Sequence, residues 1–235
     1  MKYTIILLLL SCALWGQDDT NSPTLIHIKD TVKSYYIGER GHYEAEDYYW
    51  YHKGWDAERH DKYKKAIEYY TKAIELNPKY ADAYFERGFN KLQLKKYNEA
   101  IVDYTKAIEL YPNDRFYLSR GCANYELKKY DEAIKDYDTI INKTGLDVHA
   151  YEYRGDAKNE LKKYKEAIED YTQAIRLSFD VSLYLSRGIS KFNLALYQEA
   201  INDFKKALEK IPNNKEYKRW LNKAQKKLVS SKEQR

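Results

Sequence analysis

Apolar side chains recur along this chain at helical spacing, in blocks that repeat. The clearest block runs from Tyr97 to Pro112, where apolar or small residues return every three or four positions between polar ones. Closely similar blocks lie at Tyr63–Pro78, Tyr130–Ile141, Tyr164–Leu177 and Tyr197–Pro212. Self-similarity at a period of about 20 to 50 residues is typical of stacked supersecondary units. The pattern therefore predicts an all-α repeat protein.

Two series of small residues give the period, in steps of 33 or 34 residues. They are Gly54, Gly88, Gly121, Gly155 and Gly188, and Ala66, Ala100, Ala133, Ala167 and Ala200. A unit of this length holds two antiparallel helices of about 12 to 15 residues joined by a short turn. Two helices approach closely only where one presents Gly or Ala, so both series are interpreted as packing positions. We expect Gly121, for example, to receive the helix that carries Ala133.

The repeated unit resembles the tetratricopeptide repeat, in which aromatic, Gly, Tyr, Ala, aromatic, Ala and Pro residues follow in that order. The second unit matches every position, with Tyr84, Gly88, Tyr97, Ala100, Tyr104, Ala107 and Pro112. The third unit departs with Ile140 and Gly145 at its last two positions, and the fourth has Phe179 at its last. The resemblance implies a right-handed α-solenoid of helix-turn-helix units at 47–80, 81–113, 114–147, 148–180 and 181–214. It also implies a non-catalytic protein without a cofactor, which binds a protein or peptide partner in a concave groove.

Residues beside the framework positions of each first helix are predicted to face that groove. They are Tyr48, Tyr51, Trp55, Phe85, Phe89, Leu118, Tyr125, Glu152 and Asp156. The aromatic members at the N-terminal end are expected to serve as apolar anchors. An open alternative is that the leader at 17–46 folds into the groove. Related domains that hold the C-terminal carboxylate of heat-shock chaperones use Lys, Asn and Arg, and of the corresponding positions here only Arg115 has a suitable charge, so that ligand is not expected.

The C-terminal residues 215–229 are predicted to form a capping helix, followed by a tail at 230–235. Its apolar stripe, which would cover the last repeat, consists of Tyr217, Trp220, Leu221, Ala224 and Leu228. The opposite face is rich in lysine, and 205–235 carries 11 Lys or Arg against 3 acidic residues. That face could instead dock an anionic lipid or nucleic acid. We favour a solvated face, and we expect no nucleic-acid partner because the rest of the chain is about neutral.

The N-terminal residues 1–16 are typical of a secretory signal peptide. Lys2 precedes an apolar run at Ile5–Leu10 that is too short to span a bilayer, and small residues follow it. Cleavage after Gly16 would place the protein outside the cytoplasm, as a periplasmic or secreted protein. In a second interpretation Cys12 ends a loose lipobox and becomes the anchor of a membrane lipoprotein; in a third, the segment is buried. The leader at 17–46 has no clean period beyond a weak strand tendency at 25–32, and is expected to be irregular or partly ordered.

Candidate chemistry is sparse. With two cysteines, Cys12 and Cys122, no disulfide framework is expected, and Cys122 is interpreted as a small apolar residue. His52, Asp56 and His60 recur every four residues, but no fourth ligand is evident and a metal site is not expected. The acidic residues Glu152, Asp156 and Glu160 are interpreted as solvated. The sequence thus favours an interaction scaffold, with an envelope assembly or structural role, held by a lipid on Cys12 or by the basic helix, as the second function class.

Overall fold

The computed structural model describes residues 24–27, 34–38, 41–178 and 180–233, with side chains from residue 46 onward in those ranges. The predicted signal peptide with Cys12, and Phe179 of the fourth unit, lie outside them. The described elements are β1 (Thr24–His27), β2 (Ser34–Gly38), β3 (Gly41–Glu44), α1 (Ala45–Arg59), α2 (Tyr63–Leu76), α3 (Ala81–Gln93), α4 (Tyr97–Leu110), α5 (Asp114–Glu126), α6 (Tyr130–Thr144), α7 (Val148–Glu160), α8 (Tyr164–Leu177), α9 (Ser182–Asn193), α10 (Tyr197–Lys210) and α11 (Lys215–Glu233). None of these helices combines the length and hydrophobicity of a membrane span.

The predicted all-α repeats are confirmed, because every described element from Ala45 onward is a helix. The chain divides into two compact units, one ending at Leu127 and one beginning at Lys128. In the first unit α1 to α5 pack in chain order, each against the next, and α1 also contacts α3 as α3 contacts α5. The first helices of successive repeats are therefore neighbours in this unit.

The leader contains more regular structure than the sequence predicts. Its strands form an antiparallel sheet in the order β1-β2-β3, with Leu25 opposite Tyr36 and Tyr36 opposite Tyr43. Gly38 pairs with Gly41 at the end of the ladder that joins β2 and β3. Both β2 and β3 contact α1.

Close helix packing explains the repeated glycines. A Cβ atom added to Gly54 would lie 2.7 Å from the ring of Tyr70, and one added to Gly88 would lie 2.9 Å from the ring of Tyr104. Both rings are fully buried, so the aromatic residue of each second helix occupies the space that the glycine leaves. In the second unit Gly188 stands in the same relation to Phe204, at 2.5 Å.

The turn between the two helices of a repeat has one backbone conformation throughout. Its left-handed residues, with φ between 56° and 60°, are Asp61, Lys95, Lys128, Lys162 and Ala195. In the second repeat the N–H of Lys96 donates to the carbonyl of Lys91 at 2.9 Å, as in a Schellman motif. Each first helix therefore stops within a residue or two of the same repeat position, and this fixes the start of the second helix.

A buried ion network recurs in the repeats and was not predicted. Arg87 donates two hydrogen bonds to Asp103, at 3.0 and 2.7 Å, and the Nζ of Lys91 lies 2.7 Å from the same carboxylate. Arg87 also donates to Thr71 of the preceding second helix at 3.2 Å, and so joins two repeats. The second unit repeats the arrangement with Arg154, Lys158 and Asp170, and with Arg187, Lys191 and Asp203. A buried carboxylate with two cationic partners satisfies the requirement that interior charges be paired.

The second unit consists of α6 to α11, again packed in chain order. Trp220 of α11 stacks on Phe204 at 6.1 Å and meets Phe192 edge-on at 5.6 Å, while Tyr217 and Ala224 are buried. The capping helix is therefore confirmed, although it continues to Glu233 instead of ending at Val229. The predicted pairing of Gly121 with Ala133 joins residues of different units and stays a prediction.

Candidate partner-binding site

The first helices of the first unit place the predicted groove residues at different depths. Trp55 is the most exposed of the predicted anchors, at 45%, whereas Tyr48, Tyr51, Phe89 and Tyr125 are half-buried. Their binding role stays a prediction. Two other members of the predicted groove are buried, and their expected exposure is wrong.

Phe85 and Leu118 are core residues. Phe85 is fully buried, with its ring 4.8 Å from that of Phe116 and the guanidinium of Arg115 lying 4.1 Å over it, and Leu118 is 5% exposed. Both residues stand three positions before the repeat glycine, and Tyr51 has the same position. On a helix this places them toward the neighbouring first helix and not toward solvent.

A cleft of about 220 Å³ is lined in part by Arg59, whose guanidinium lies over the exposed ring of Trp55. It lies where the end of α1, its turn, α3 and the start of α5 meet, all within the first unit. Its walls are Glu58, Arg59, Asp61, Tyr63, Glu86, Phe89 and Arg115. Phe89 of this set is one of the predicted groove residues. The other members are mostly charged, and spacing alone gives little reason to separate them from solvated surface charges.

Glu58 and Asp61 are the carboxylates of the cleft that form no salt bridge with the described side chains, and Glu58 is the more buried of the two. Glu58 accepts hydrogen bonds from the amide of Asn90 at 2.6 Å and from the hydroxyl of Tyr70 at 3.2 Å. Burial, and next the charge of Glu86, raise the pKa of Glu58 to about 7. Neutral donors therefore hold the carboxylate in place, and its ionised form is destabilised by burial.

The other buried charges of the cleft are paired with each other. The Nη2 of Arg115 lies 3.1 Å from the Oε1 of Glu86, whose side chain is 9% exposed. The guanidinium of Arg115 thus forms an ion pair with Glu86 and lies over the ring of Phe85. The single residue that suited a carboxylate ligand is therefore engaged within the protein.

Two charged residues of the cleft contact aromatic side chains. The guanidinium of Arg59 lies 4.7 Å over the ring of Trp55. The hydroxyl of Tyr63 donates to Asp61 at 2.6 Å, and this hydrogen bond raises the pKa of Tyr63 to about 12. These contacts hold two rings and two charges beside the cleft.

Glu152 and Asp156 lie in the second unit, on α7. Asp156 accepts a hydrogen bond from Tyr171 at 2.6 Å, and burial followed by the charge of Glu152 raises the pKa of Asp156 to about 7. The Nδ1 of His149 lies 3.7 Å from the carboxylate of Glu152. This acidic cluster is therefore partly buried and not fully solvated, which corrects the sequence interpretation of Asp156.

The remaining candidates show no reactive arrangement in the described part of the chain. The Nδ1 of His60 donates to the backbone carbonyl of Asp56 at 2.7 Å, and no three His, Cys, Asp or Glu residues there are grouped to hold a metal. Cys122 is a free, buried thiol. On α11 a shallow basic groove is lined by Lys215, Lys218, Arg219, Asn222, Lys223 and Lys226.

Sequence comparison identifies the repeats. Family models described as tetratricopeptide repeat match residues 47–80, 81–114 and 118–179, which together make up more than half of the chain. A curated relative, an uncharacterized protein of Methanocaldococcus jannaschii, is 49% identical over 39 residues, which are 17% of this chain and 45% of that protein. The chain thus spans less than half the length of this relative.

Solved structures with the same fold include two MamA proteins and YrrB. One MamA crystal structure has a TM-score of 0.67 at 24% identity, with 70% of this chain and 91% of that chain covered. MamA from Desulfovibrio magneticus RS-1 has a TM-score of 0.69 at 17% identity, with 73% and 98% covered. YrrB, described as a TPR protein with an unusual peptide-binding site, has a TM-score of 0.65 at 17% identity, with 75% and 90% covered. These likenesses establish the helical solenoid fold.

Proposed function

Because the chain belongs to the tetratricopeptide repeat family, we propose that it is a non-catalytic interaction protein that captures an extended segment of a partner protein. The capture surface is the row of first helices α1, α3 and α5 in the first unit. The observation that carries this proposal is the exposed ring of Trp55 in contact with Arg59, which lines a cleft together with Phe89 and Tyr63. An exposed aromatic group next to a concave, partly charged surface is typical of protein-binding sites.

The surface offers the captured segment one exposed aromatic anchor and one deeper aromatic contact. Trp55 offers a large apolar surface at its rim, and tryptophan is among the residues most often found at binding hot spots. Phe89 lies deeper and would contact a side chain that enters the cleft. The peptide-binding site described for YrrB, which shares the fold, is consistent with this use of the surface.

A displayed peptide library tests the proposal. Peptides enriched on the wild-type protein are synthesised, and their dissociation constants are measured for wild type and for the double variant Trp55→Ala with Phe89→Ala. We expect the double variant to bind at least about 10-fold more weakly, because it loses both aromatic contacts. The matched control is Leu76→Ala with Val102→Ala, which removes apolar side chains of the same unit that are 48% and 68% exposed on its second helices.

The two double variants separate the outcomes. Weaker binding in the first variant only, with both variants folded by circular dichroism, supports capture on the first helices. Equal binding in wild type and the Trp55 and Phe89 variant would refute it, as would a library that yields no peptide above background.

We also propose that the protein acts outside the cytoplasm. The support is the sequence of residues 1–16, with its positive start, short apolar run and small residues before Gln17. In the alternative, an envelope role, a lipid on Cys12 or the basic groove of α11 would hold the protein at a membrane. The lysines of that groove supply the charge that anionic lipids attract.

A further inference from the structure

We propose that the cleft of the first unit recognises a lysine or arginine side chain of the captured segment, with Glu58 as the group that pairs with it. The inference rests on the proposed function and specifies the chemistry of one contact. Its basis is a carboxylate that lines a cleft, is held by neutral donors and has no cationic partner among the described side chains.

Two buried side chains fix the position of this carboxylate. Tyr70 and Asn90 are both fully buried, and both donate to the same oxygen, Oε2 of Glu58. The Oδ1 of Asn90 is a buried acceptor with no hydrogen-bond partner in the described structure. Because it shares an amide group with the nitrogen that bonds Glu58, it lies next to the carboxylate. Guanidinium and ammonium groups carry donors only, so a cation fits the carboxylate that lines this cleft.

The cations already present in the cleft form their close contacts with groups other than Glu58. Arg115 pairs with Glu86, and the guanidinium of Arg59 lies over Trp55. Asp61 adds a further negative charge on the wall, so the acidic groups outnumber the basic ones. The uncompensated charge therefore favours a cationic ligand over an anionic one.

The walls also suit the stem of a basic side chain. Phe89 and Tyr63 line the cleft beside Glu58. Lysine and arginine pack their methylene groups along apolar or aromatic surface while the charged end reaches a polar partner. A guanidinium additionally gains from stacking on an aromatic face, so we expect arginine to be preferred over lysine.

The contact should depend on pH. Glu58 is faced by Tyr70 of α2, by Glu86 and Asn90 of α3 and by Arg115 of α5, and burial with the charge of Glu86 raises its pKa to about 7. Only the ionised form attracts a cation, so affinity for a basic probe should rise as the pH increases through that value. His52 on the same helix titrates with a lowered pKa, and a variant of Glu58 distinguishes the two groups.

The test compares two capped tripeptides, acetyl-Phe-Arg-Phe-amide and the same peptide with citrulline in place of arginine. Citrulline has nearly the shape of arginine and no charge. Nitrogen-15 spectra of the full chain report binding at Trp55 and at the backbone of Glu58 and Phe89. At pH 8 we expect the arginine probe to bind about 10-fold more tightly than the citrulline probe, and this advantage should shrink to about 2-fold or less at pH 6.

Two variants complete the test. Glu58→Gln keeps an acceptor for Tyr70 and Asn90 and should abolish the difference between the probes at pH 8. Glu75→Gln removes an exposed carboxyl of the same unit, on the second helix α2, and should leave the difference unchanged. If Glu58→Gln does not fold, the pH dependence is measured instead in His52→Gln, which removes the other group that titrates in this range.

Equal affinities of the two probes for wild type at pH 8, or no binding of the arginine probe, would overturn the recognition of a basic side chain. A probe difference that persists in Glu58→Gln would do the same. Segment capture as such is judged separately, since the Trp55 and Phe89 variant could still lose library peptides while Glu58→Gln retains them.

Discussion

At the scale of single residues, a framework tyrosine bonds a helix carboxyl group in each compact unit. Tyr70 donates to Glu58 and Tyr171 donates to Asp156, and both carboxyl groups have a pKa raised to about 7, with burial as the largest cause. A carboxylate held in this way is destabilising when it is charged, because its hydrogen bonds do not fully replace its hydration.

Asp156→Asn should therefore stabilise the protein at pH 8. The folded pKa of about 7 lies above the ordinary value of 3.8, so the folded state binds more protons than the unfolded state between those values. The cost of the carboxylate is complete above pH 7 and declines as the pH falls toward 4. We expect a gain of about 1 to 2 kcal/mol at pH 8, discounted for partial exposure, and a clearly smaller gain at pH 5. Urea unfolding at both pH values measures it, and an equal or negative effect at pH 8 would contradict the burial argument.

The same scale shows what the sequence could and could not predict. The recurring glycines Gly54 and Gly88 indicate close packing, because a Cβ atom at either position would overlap the ring that it faces. Phe85 was assigned to the groove because helical periodicity gives a face but not the depth of a neighbouring helix. Glu58 was missed because a glutamate on a helix looks solvated until the side chains from two other helices are in place.

At the scale of the element, the buried Arg–Asp–Lys network corresponds to a pattern in the sequence. Arginine directly precedes the glycine, lysine follows it by three positions, and aspartate follows the repeat alanine by three, as in Arg87, Lys91 and Asp103. One copy of these residues looks like surface charge. Their recurrence at the repeat period, in step with buried residues, is what indicates burial.

The capping helix α11 should be essential to the stability of the second unit. It contributes Tyr217, Trp220, Leu221, Ala224 and Leu228 to the end of the repeats. Removing it would expose those of its partners that it covers, including Phe204 and Phe192. With about 1.5 to 3 kcal/mol for each large apolar side chain that is fully buried, the loss should be on the order of 5 kcal/mol.

A chain that ends at Asn214 is thus expected to melt at a markedly lower temperature or to aggregate, as calorimetry and light scattering would report. The control ends at Val229 and keeps the apolar stripe. An unchanged melting temperature in the shorter chain would contradict the capping role and would favour a docking role for the basic groove of α11.

At the scale of the whole molecule, the repeat period was the strongest evidence in the sequence. It led to the helical fold because each unit must bury its apolar face against the next. The weak strand tendency at 25–32 overlaps β1, whereas β2 and β3 were not predicted because they are short. Pairing between strands, and the contact of β2 and β3 with α1, determine them more than local preference does.

The last prediction concerns the N-terminal segment, residues 1–16. Expressed as the full chain in a Gram-negative bacterium, the protein should be recovered from the periplasm with Gln17 as its first residue, because the small residue Gly16 ends the proposed signal. Intact mass and N-terminal sequencing identify the cleavage site. A mass that includes a lipid on Cys12, lost in Cys12→Ala, would support the membrane-anchored alternative. A cytoplasmic protein that retains residues 1–16 would contradict both forms of export and would leave peptide capture as a function inside the cell.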